Sequence, residues 1–400
     1  MDLTMPINFQ QVREKIQQIG SGAAGRQKAL QERQAEARNL LKANASALDL
    51  LRARVESARG VDANLRCAVP LNEALDSSLP PPALPERVTL IAADGSQINP
   101  SRHEQVQFGL VNAGGIVMRL HSGESSILHT DSKLMYDDEL FRDGVPLSEG
   151  MVALERDLQE RSLLADLAKG HEPPVVTFTD GPIELWGARD GQEARAYAES
   201  LEKYKGVLSR LQTRGVVTAG YVDKPGSNLV VRLLELALAT LKDMEDLRNF
   251  RPLLGVTDRA LFNYGIEPLL MPGHRSAVFS IQSSSAKNYQ GVLSLHFFYL
   301  NAGQDESHPH IARVEIPRWV ADDASMLGLL HAVLVDQCRV MGARPYPYLL
   351  HRAHETAVVS NEEKFQVEQM LMQELRRQGV DVEDGSNKQS AKDLPGRKTR

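Results

Sequence analysis

The first 60 residues follow a helical pattern of apolar and polar positions. From residue 8 to residue 58 the chain is rich in Gln, Glu, Arg, Ala and Leu and lacks proline, and GSGAAG at 20–25 interrupts the pattern. We therefore predict a helical hairpin made of a short helix and a longer one. The apolar stripe of the longer helix, from Leu30 to Leu51, suits packing within its own chain and packing against a partner equally well.

After the proline-rich stretch LPPPALPE at 79–86, apolar runs typical of buried strands alternate with helical patterns. The pair Gly114-Gly115 predicts a turn between two of these strands. The predicted strands cover 88–94, 106–115, 116–122, 175–180, 216–223, 292–301 and 311–317. The predicted helices cover approximately 148–169, 190–213, 227–244, 322–342 and 360–378.

Strands that come first in a meander and then alternate with helices indicate an α/β fold with a mixed sheet. The pattern divides the chain into a helical region at 1–78, a proline-rich linker at 79–86 and a core domain at 87–380. The last segment, 381–400, is polar and rich in turn-forming residues, so we expect it to be disordered.

Composition narrows the class of protein. The 46 basic and 52 acidic residues give a formal charge of -6, which argues against wrapping in nucleic acid through a general positive field. Two cysteines, Cys67 and Cys338, are too few for a disulfide framework and suit a reducing cytoplasm. No run approaches the roughly 18 apolar residues of a membrane span, so we expect a cytoplasmic protein without a membrane anchor.

The glycine spacing of GSGAAGRQ at 20–27 is similar to that of a phosphate-binding loop. However, Arg-Gln stands where such a loop carries Lys-Ser or Lys-Thr, and no apolar strand precedes it. We interpret this sequence as a turn between helices. The chain is therefore not expected to hydrolyse ATP itself.

Two aspartates are the first candidates for chemistry. Asp94 follows the apolar run at 88–93, Asp180 follows the run at 175–179, and a glycine comes directly after each. Carboxylates that project from neighbouring strand ends can converge on a pair of hard cations. Each Asp-Gly pair alone is also ordinary turn chemistry, and the sequence does not show that the two strands are neighbours.

Further acids and histidines lie on predicted helices. The segment VALERDLQERSLLADL offers Glu155, Asp157 and Glu160, but its apolar residues cover more than one face and select none of them. Near the carboxyl end, His351 and His354 are three residues apart and suit one helical face. They do not form the HExxH metalloprotease motif, and ordinary packing or surface exposure is the alternative for each histidine.

The motifs AADGS, TDGPIELW, GYVDKPGSNL, ARVEIPRWV and YPYLLHRAHE occur in an order that resembles the NurA family, over residues 86 to 360. This resemblance implies an RNase H-like core and a DNA nuclease that depends on Mn²⁺ or Mg²⁺. It also implies a homodimer that works beside the hexameric ATPase HerA. The implied setting is DNA end processing or, in some bacteria, defence against phage.

The resemblance also implies a set of site residues. It assigns Asp94, Glu160 and Asp180 to metal binding and catalysis, with Glu155 as the competitor of Glu160. It assigns His354 to the late histidine of the AHE motif, as a metal ligand or a proton-transfer group. It assigns Tyr346 to the upstream aromatic residue of the catalytic set, and it makes Asp223 a weaker candidate metal neighbour. The alternatives are a non-catalytic DNA-binding or scaffolding subunit and a phosphatase of small phosphate esters.

Overall fold

The computed structural model describes residues 7–142, 144–187, 191–263 and 268–380. The polar segment 381–400, which the sequence predicts to be disordered, lies outside the described residues. None of the described helices is both long and apolar enough to cross a membrane.

The chain is organised in two compact units. The first unit consists of the segments Met1–Pro80, Lys224–Asn288 and His296–Arg313. The second unit consists of the segments Pro81–Asp223, Tyr289–Leu295 and Val314–Arg400. Their first division, after Pro80, falls inside the proline-rich stretch 79–86.

The helices of the described residues match most of the predicted ones. They are α1 Phe9–Ser21, α2 Ala23–Ala43, α3 Leu48–Val61, α4 Glu149–Ala168, α5 Ala194–Thr213, α6 Leu229–Leu238, α7 Leu241–Glu245, α8 Asp258–Asn263, α9 Arg318–Ala321, α10 Ala324–Val340, α11 Tyr348–Ala357 and α12 Asn361–Arg377. The predictions at 148–169, 190–213 and 360–378 are confirmed by α4, α5 and α12.

Two predicted helices are each broken once. The longer amino-terminal helix is interrupted at 44–47, between α2 and α3. The predicted helix at 227–244 ends at Leu238, because Ala239 is extended and Thr240 starts α7. The Thr240 hydroxyl accepts a hydrogen bond from the N–H of Asp243, and the Asp243 carboxylate accepts one from the N–H of Thr240. This capping box begins a new helix there.

The strands of the described residues include most of the predicted runs. They are β1 Cys67–Pro70, β2 Thr89–Ile98, β3 Phe108–Arg119, β4 Ile127–Tyr136, β5 Phe141–Arg142, β6 Val145–Pro146, β7 Val175–Asp180, β8 Val217–Val222, β9 Phe279–Gln282, β10 Leu295–Asn301 and β11 Ile311–Pro317. Strand β4 was not predicted, because most of its residues are exposed and it lacks a buried apolar run.

The strands that lie wholly in the second unit's part of the sheet follow the order β8-β7-β2-β3-β4. Strands β2, β3 and β4 form an antiparallel meander, while β7 lies parallel to β2 and β8 lies parallel to β7. This order and these directions are those of an RNase H-like core, so the predicted α/β fold class is confirmed. Parallel strands carry their carboxyl ends to one edge, and this edge holds the candidate chemistry.

The predicted turn at Gly114-Gly115 is wrong, because both glycines lie inside β3. A Cβ on Gly114 would overlap the backbone of α11 at Ala357. A Cβ on Gly115 would enter the space that Leu163 and Leu167 of α4 occupy. Since neighbouring strand residues face opposite sides, α11 and α4 cover the two faces of β3 and both approach its bare backbone.

In the first unit, helices α2 and α3 both contact α6. Helices α3 and α6 also contact the short strand β1, which pairs with β9. Helices α2 and α3 bury apolar side chains in this core, including Ala37, Leu41, Leu51 and Val55. Helix α1 buries none of its residues. The amino-terminal helices therefore divide into two that pack within their own unit and one whose apolar side chains are exposed.

Gly114→Ala should destabilise the second unit, because the added methyl group meets backbone atoms that a rotamer change cannot move away. We expect a loss of about 2 kcal/mol in the free energy of unfolding, measured by urea denaturation. The control is Gly206→Ala in α5, an exposed position with nothing within 4 Å of the new methyl group. That change should be neutral or stabilising. Equal unfolding midpoints for the two variants would contradict the close packing of α11 on β3.

Candidate active site

Asp94 lies where β2 separates from β7. The apolar half of β2 is buried and pairs in parallel with β7 as far as Ala93. Strand β2 itself continues to Ile98 beside β3. Asp94 therefore directly follows the parallel pairing, and the prediction that the strand ends at Asp94 is wrong. The N–H of Gly95 donates to Oδ1 of Asp94 at 2.8 Å, which leaves Oδ2 for another partner.

Asp180 is the last residue of the neighbouring strand β7. The next residue, Gly181, has a φ of +83° and donates its N–H to the carbonyl of Tyr221 at 2.8 Å, so the chain turns directly after the carboxylate. Because β2 and β7 are adjacent and parallel, Asp94 and Asp180 lie at the same edge of the sheet. The two strand-end aspartates of the sequence are thus brought together.

Tyr346 holds Asp180 from the loop before α11. Desolvation raises the pKa of the Asp180 carboxyl, a hydrogen bond from Tyr346 opposes this shift, and the charge of Asp94 adds to it. The pKa of Tyr346 itself is raised, first by burial and then by the Asp180 charge, so its hydroxyl stays protonated and donates. The Tyr346 ring packs edge-on against Tyr221 with centroids 5.6 Å apart, which fixes its position.

Glu160 reaches the same edge from α4. Its side chain is buried, with 5% exposure, and Oε1 has no hydrogen-bond partner among the described residues. Burial raises the pKa of Glu160 to about 8; Arg161 opposes the shift, while Asp157 and Asp94 add to it. A buried carboxyl that has an unpartnered oxygen and stands beside other acids is a recognised mark of a functional position.

Glu155 lies elsewhere on α4. Its carboxylate accepts a hydrogen bond from Lys133 of β4 at 2.7 Å and is partly open to solvent. Glu155 and Glu160 are five positions apart, which separates them by about 140° around the helix axis, so the two acids face different neighbours. Of this pair, Glu160 is the one whose pKa is raised by the charge of Asp94.

His354 contacts Asp94 directly. It lies in the last turn of α11. Its Nδ1 is 2.6 Å from Oδ2 of Asp94, while the imidazole remains 62% exposed. His351, one turn earlier, lies 3.4 Å from Glu355 and does not join this contact.

The position of α11 is fixed by its last carbonyl. The carbonyl of Ala357 accepts hydrogen bonds from the Ser96 hydroxyl at 2.5 Å and from the Asn112 amide at 2.8 Å. Asn112 in turn accepts from Ser132 on β4, so three neighbouring strands hold the end of this helix. His354 is one helical turn before Ala357 and is therefore carried to Asp94.

Two arginines of α4 were not among the residues predicted from the sequence. Arg156 pairs with Asp157 at 2.6 Å. Buried Arg161 donates to the carbonyl of Pro182 at 2.9 Å and lies over the Tyr204 ring, so it ties α4 to the turn after Asp180. The available signal was a basic residue directly beside an acid at 156–157 and again at 160–161.

Asp223 directly follows β8, the third parallel strand at this edge. Its charge contributes to the raised pKa of Asp180 and of Tyr346, so it lies close enough to act on both groups. Asp223 therefore lies near the candidate site. Its part in metal binding stays a prediction.

The donor atoms suit a hard divalent cation, since Asp94, Asp180 and Glu160 offer carboxylate oxygens and one oxygen of Glu160 has no other partner. Within the described ranges, however, no three His, Cys, Asp or Glu side chains already form a closed metal site. The carboxylates suit the chemistry of such a cation, and their side chains would have to move to enclose one.

Several solved structures are similar to this chain. They include the NurA nuclease from Sulfolobus solfataricus, with 11% sequence identity, 92% of this chain and 98% of that chain covered, and a TM-score of 0.47. The catalytic domain of human endonuclease V has 13% identity, covers 81% of this chain and 98% of its own, and gives a TM-score of 0.29. Drosophila Piwi has 11% identity, with 67% and 29% of the two chains covered and a TM-score of 0.29.

A comparison with curated proteins found no match. A family model described as the NurA domain matches residues 88–359, a range that contains all of the candidate site residues. Because this range is more than half of the sequence, the chain belongs to the NurA family.

Proposed function

We propose that this chain is a nuclease that hydrolyses phosphodiester bonds of DNA with the help of Mn²⁺ or Mg²⁺. Membership of the NurA family supports nuclease activity. The observation that carries the proposal is the shared edge of Asp94, Asp180 and Glu160, with His354 2.6 Å from Asp94. Such a group of acids repels itself unless a cation or a proton compensates the charge.

Asp94, Asp180 and Glu160 are the residues that would hold the cations. When bound, such cations supply charge neutralisation for the phosphate and a lower pKa for the attacking water. Tyr346 acts as a positioning residue, because its hydroxyl donates to Asp180 from a buried ring. Arg161 is a second positioning residue, because it links α4 to the turn after Asp180.

His354 has two possible roles in this scheme, and we assign the metal-linked one first. The contact with Asp94 uses Nδ1, so Nε2 is the ring nitrogen that remains for another partner. A neutral imidazole can bind a cation there, whereas a protonated one can stabilise negative charge or donate a proton. The high exposure of the ring gives substrate and solvent access to either role.

A substrate panel tests the function against its alternatives. End-labelled linear DNA, circular DNA, RNA and a chromogenic phosphate monoester are incubated with Mn²⁺, Mg²⁺ or EDTA. The proposal requires DNA cleavage that EDTA abolishes. Preferential hydrolysis of the monoester would instead indicate a phosphatase, and DNA binding without cleavage would indicate a non-catalytic subunit.

Asp94→Asn, Asp180→Asn and Glu160→Gln should each lower DNA cleavage by roughly 100-fold or more, since each removes a charge from the proposed metal site. The matched controls are Asp322→Asn, on the surface beside Arg318, and Glu155→Gln, beside Lys133. Both controls should cleave DNA at nearly the wild-type rate. Initial rates on end-labelled linear DNA measure the effect, and circular dichroism checks the fold.

Near-normal cleavage by one of the three site variants would remove that residue from the metal site. A larger loss from Glu155→Gln than from Glu160→Gln would show that the wrong glutamate of α4 is assigned. Equal losses in the controls would indicate general destabilisation.

His354→Ala should lower cleavage by roughly 100-fold, the scale of a lost metal-linked or acid-base group. In the metal-linked role, the variant needs more Mn²⁺ for half-maximal rate and excess Mn²⁺ partly restores activity. In the acid-base role, the Mn²⁺ requirement is unchanged while the maximal rate falls. His351→Ala is the control, and a larger loss from it, or wild-type behaviour of His354→Ala, would reject the assignment.

We further propose that the protein forms a homodimer and works with a HerA-type hexameric ATPase in DNA end processing or phage defence. The sequence lacks a phosphate-binding loop, so ATP-driven movement along DNA would need an external motor. Helix α1 offers a contact surface, because Phe9, Val12, Ile16 and Ile19 form one stripe and are all exposed.

Ile16→Glu should weaken assembly with such an ATPase or with a second copy by roughly 10-fold, while basal cleavage of short DNA stays unchanged. Gln17→Glu, on the polar side of α1, adds the same charge and should have no effect. Analytical ultracentrifugation and pull-down with the purified hexamer measure assembly. A deletion should stop at residue 21, because α2 and α3 carry core residues. Intact assembly without α1 would place the interface elsewhere.

A further inference from the structure

Trp186 is the large exposed side chain of a short segment that is otherwise packed. The segment 181–187 directly follows Asp180 at the end of β7. Ile183, Glu184 and Leu185 are at most 2% exposed, whereas Trp186 is 49% exposed. A single exposed apolar residue is common on protein surfaces, so the surroundings of Trp186 decide what its exposure means.

The backbone before Trp186 is fixed by buried side chains. The N–H of Ile183 donates to the carboxylate of Glu315 at 3.1 Å, and the carbonyl of Ile183 accepts from the hydroxyl of Tyr204 at 2.7 Å. The N–H of Leu185 donates to the hydroxyl of Tyr289 at 2.8 Å. These three partners are themselves at most 2% exposed. Since the segment cannot shift independently of the core, Trp186 stands on a rigid support.

The two neighbours of Trp186 in the chain pack against α5. The carbonyl of Leu185 accepts a hydrogen bond from the hydroxyl of Tyr197 at 3.2 Å. A Cβ on Gly187 would lie 2.4 Å from the Tyr197 ring, so the backbone directly after Trp186 touches this ring. Tyr197 lies in the first turn of α5. Trp186 is therefore held beside the start of α5.

The start of α5 lies at the same edge of the sheet as the site acids. Helix α5 connects the end of β7 with the beginning of β8, and these two strands are parallel. A helix that crosses from one parallel strand to the next begins near the carboxyl end of the first, here at Asp180. Trp186 follows Asp180 by six positions, which limits the distance between their Cα atoms to about 22 Å. A few nucleotides of one DNA strand span such a distance, because each takes at least about 3.4 Å.

A rigid, exposed indole near a site that cleaves phosphodiester bonds suits a nucleobase. Every base has a flat π-face, and stacking on aromatic side chains contributes strongly to the binding of single strands. The bases inside a duplex already stack on one another, so only an unpaired base can offer its face to the ring. On the basis of the proposed nuclease function, we propose that Trp186 stacks on an unpaired base of the DNA strand, a few nucleotides from the bond that is cleaved. This contact favours single-stranded DNA or a frayed end as the substrate.

Tryptophan fluorescence tests the contact directly. The chain has two tryptophans, and the other one, Trp319, is 9% exposed and donates its Nε1–H to the carbonyl of Val216 at 3.1 Å. Quenching by DNA therefore reports on Trp186. The full-length protein is titrated in Mg²⁺ with an oligothymidine whose phosphorothioate linkages resist hydrolysis. Saturating oligothymidine should quench the fluorescence of wild type and of Trp319→Phe, but not that of Trp186→Phe.

Trp186→Ala should bind the oligothymidine roughly 10-fold more weakly than wild type, the scale of one lost base stack, as measured by fluorescence anisotropy. On cleavable single-stranded DNA its KM should rise by a similar factor while kcat changes less than about twofold, because the contact contributes to binding alone. Its affinity for blunt duplex DNA should stay unchanged. The matched control is Ile127→Ala, which removes an exposed apolar side chain of the same unit at the start of β4 and should behave like wild type. Circular dichroism checks the fold.

The inference is overturned if the oligothymidine does not bind wild type, if it binds without quenching, or if Trp186→Ala keeps wild-type affinity. Wild-type DNA affinity of Trp186→Ala together with lost binding of a HerA-type hexamer would show that the ring contacts protein instead. None of the binding measurements needs cleavage, so their outcome is separate from that of the proposed nuclease activity. That activity is rejected only if wild type leaves every DNA substrate intact.

Discussion

The close approach of α11 to bare backbone at Gly114 is the contact on which the candidate site depends. In the pairing of β2 with β3, Gly114 is the partner of Asp94. The end of α11, at Ala357, therefore lies over the residue opposite the first carboxylate. One turn earlier, His354 reaches Asp94 at 2.6 Å. This close approach and the hydrogen bonds to the Ala357 carbonyl together set the distance between two groups that are 260 residues apart along the chain.

The three acids of the site, Asp94, Asp180 and Glu160, are held close together although their negative charges repel one another. Asp94 is compensated by the Gly95 N–H and by His354, and Asp180 by the hydroxyl of Tyr346. Glu160 is compensated least, because one of its oxygens has no partner and its pKa is raised to about 8. The packed helices and strands around the edge maintain this arrangement although its charges oppose it. Such uncompensated acidity is what a bound divalent cation would stabilise.

Much of the fold follows from local sequence patterns. The apolar runs that become β7 and β8, and the helical patterns of α4 and α5, are specified by residues close together in the chain. The aspartates at 94 and 180 were recognisable for the same reason, since each follows such a run and precedes a glycine. Their adjacency was not, because it depends on β2 and β7 pairing in parallel over a long crossover. Periodicity also could not choose Glu160 over Glu155, as α4 is apolar on more than one face.

The wrong prediction of a turn at Gly114-Gly115 shows why contacts between distant segments could not be predicted from the local sequence. Two glycines in an apolar run favour a hairpin turn, and they equally permit two helices to approach opposite faces of one strand. The local sequence is the same in both cases. What decides is whether distant segments, here α4 and α11, supply side chains and backbone that require the missing Cβ atoms. The two glycines can therefore be interpreted only together with the residues that pack on them. The position of His354 also depends on this packing, because His354 lies on α11.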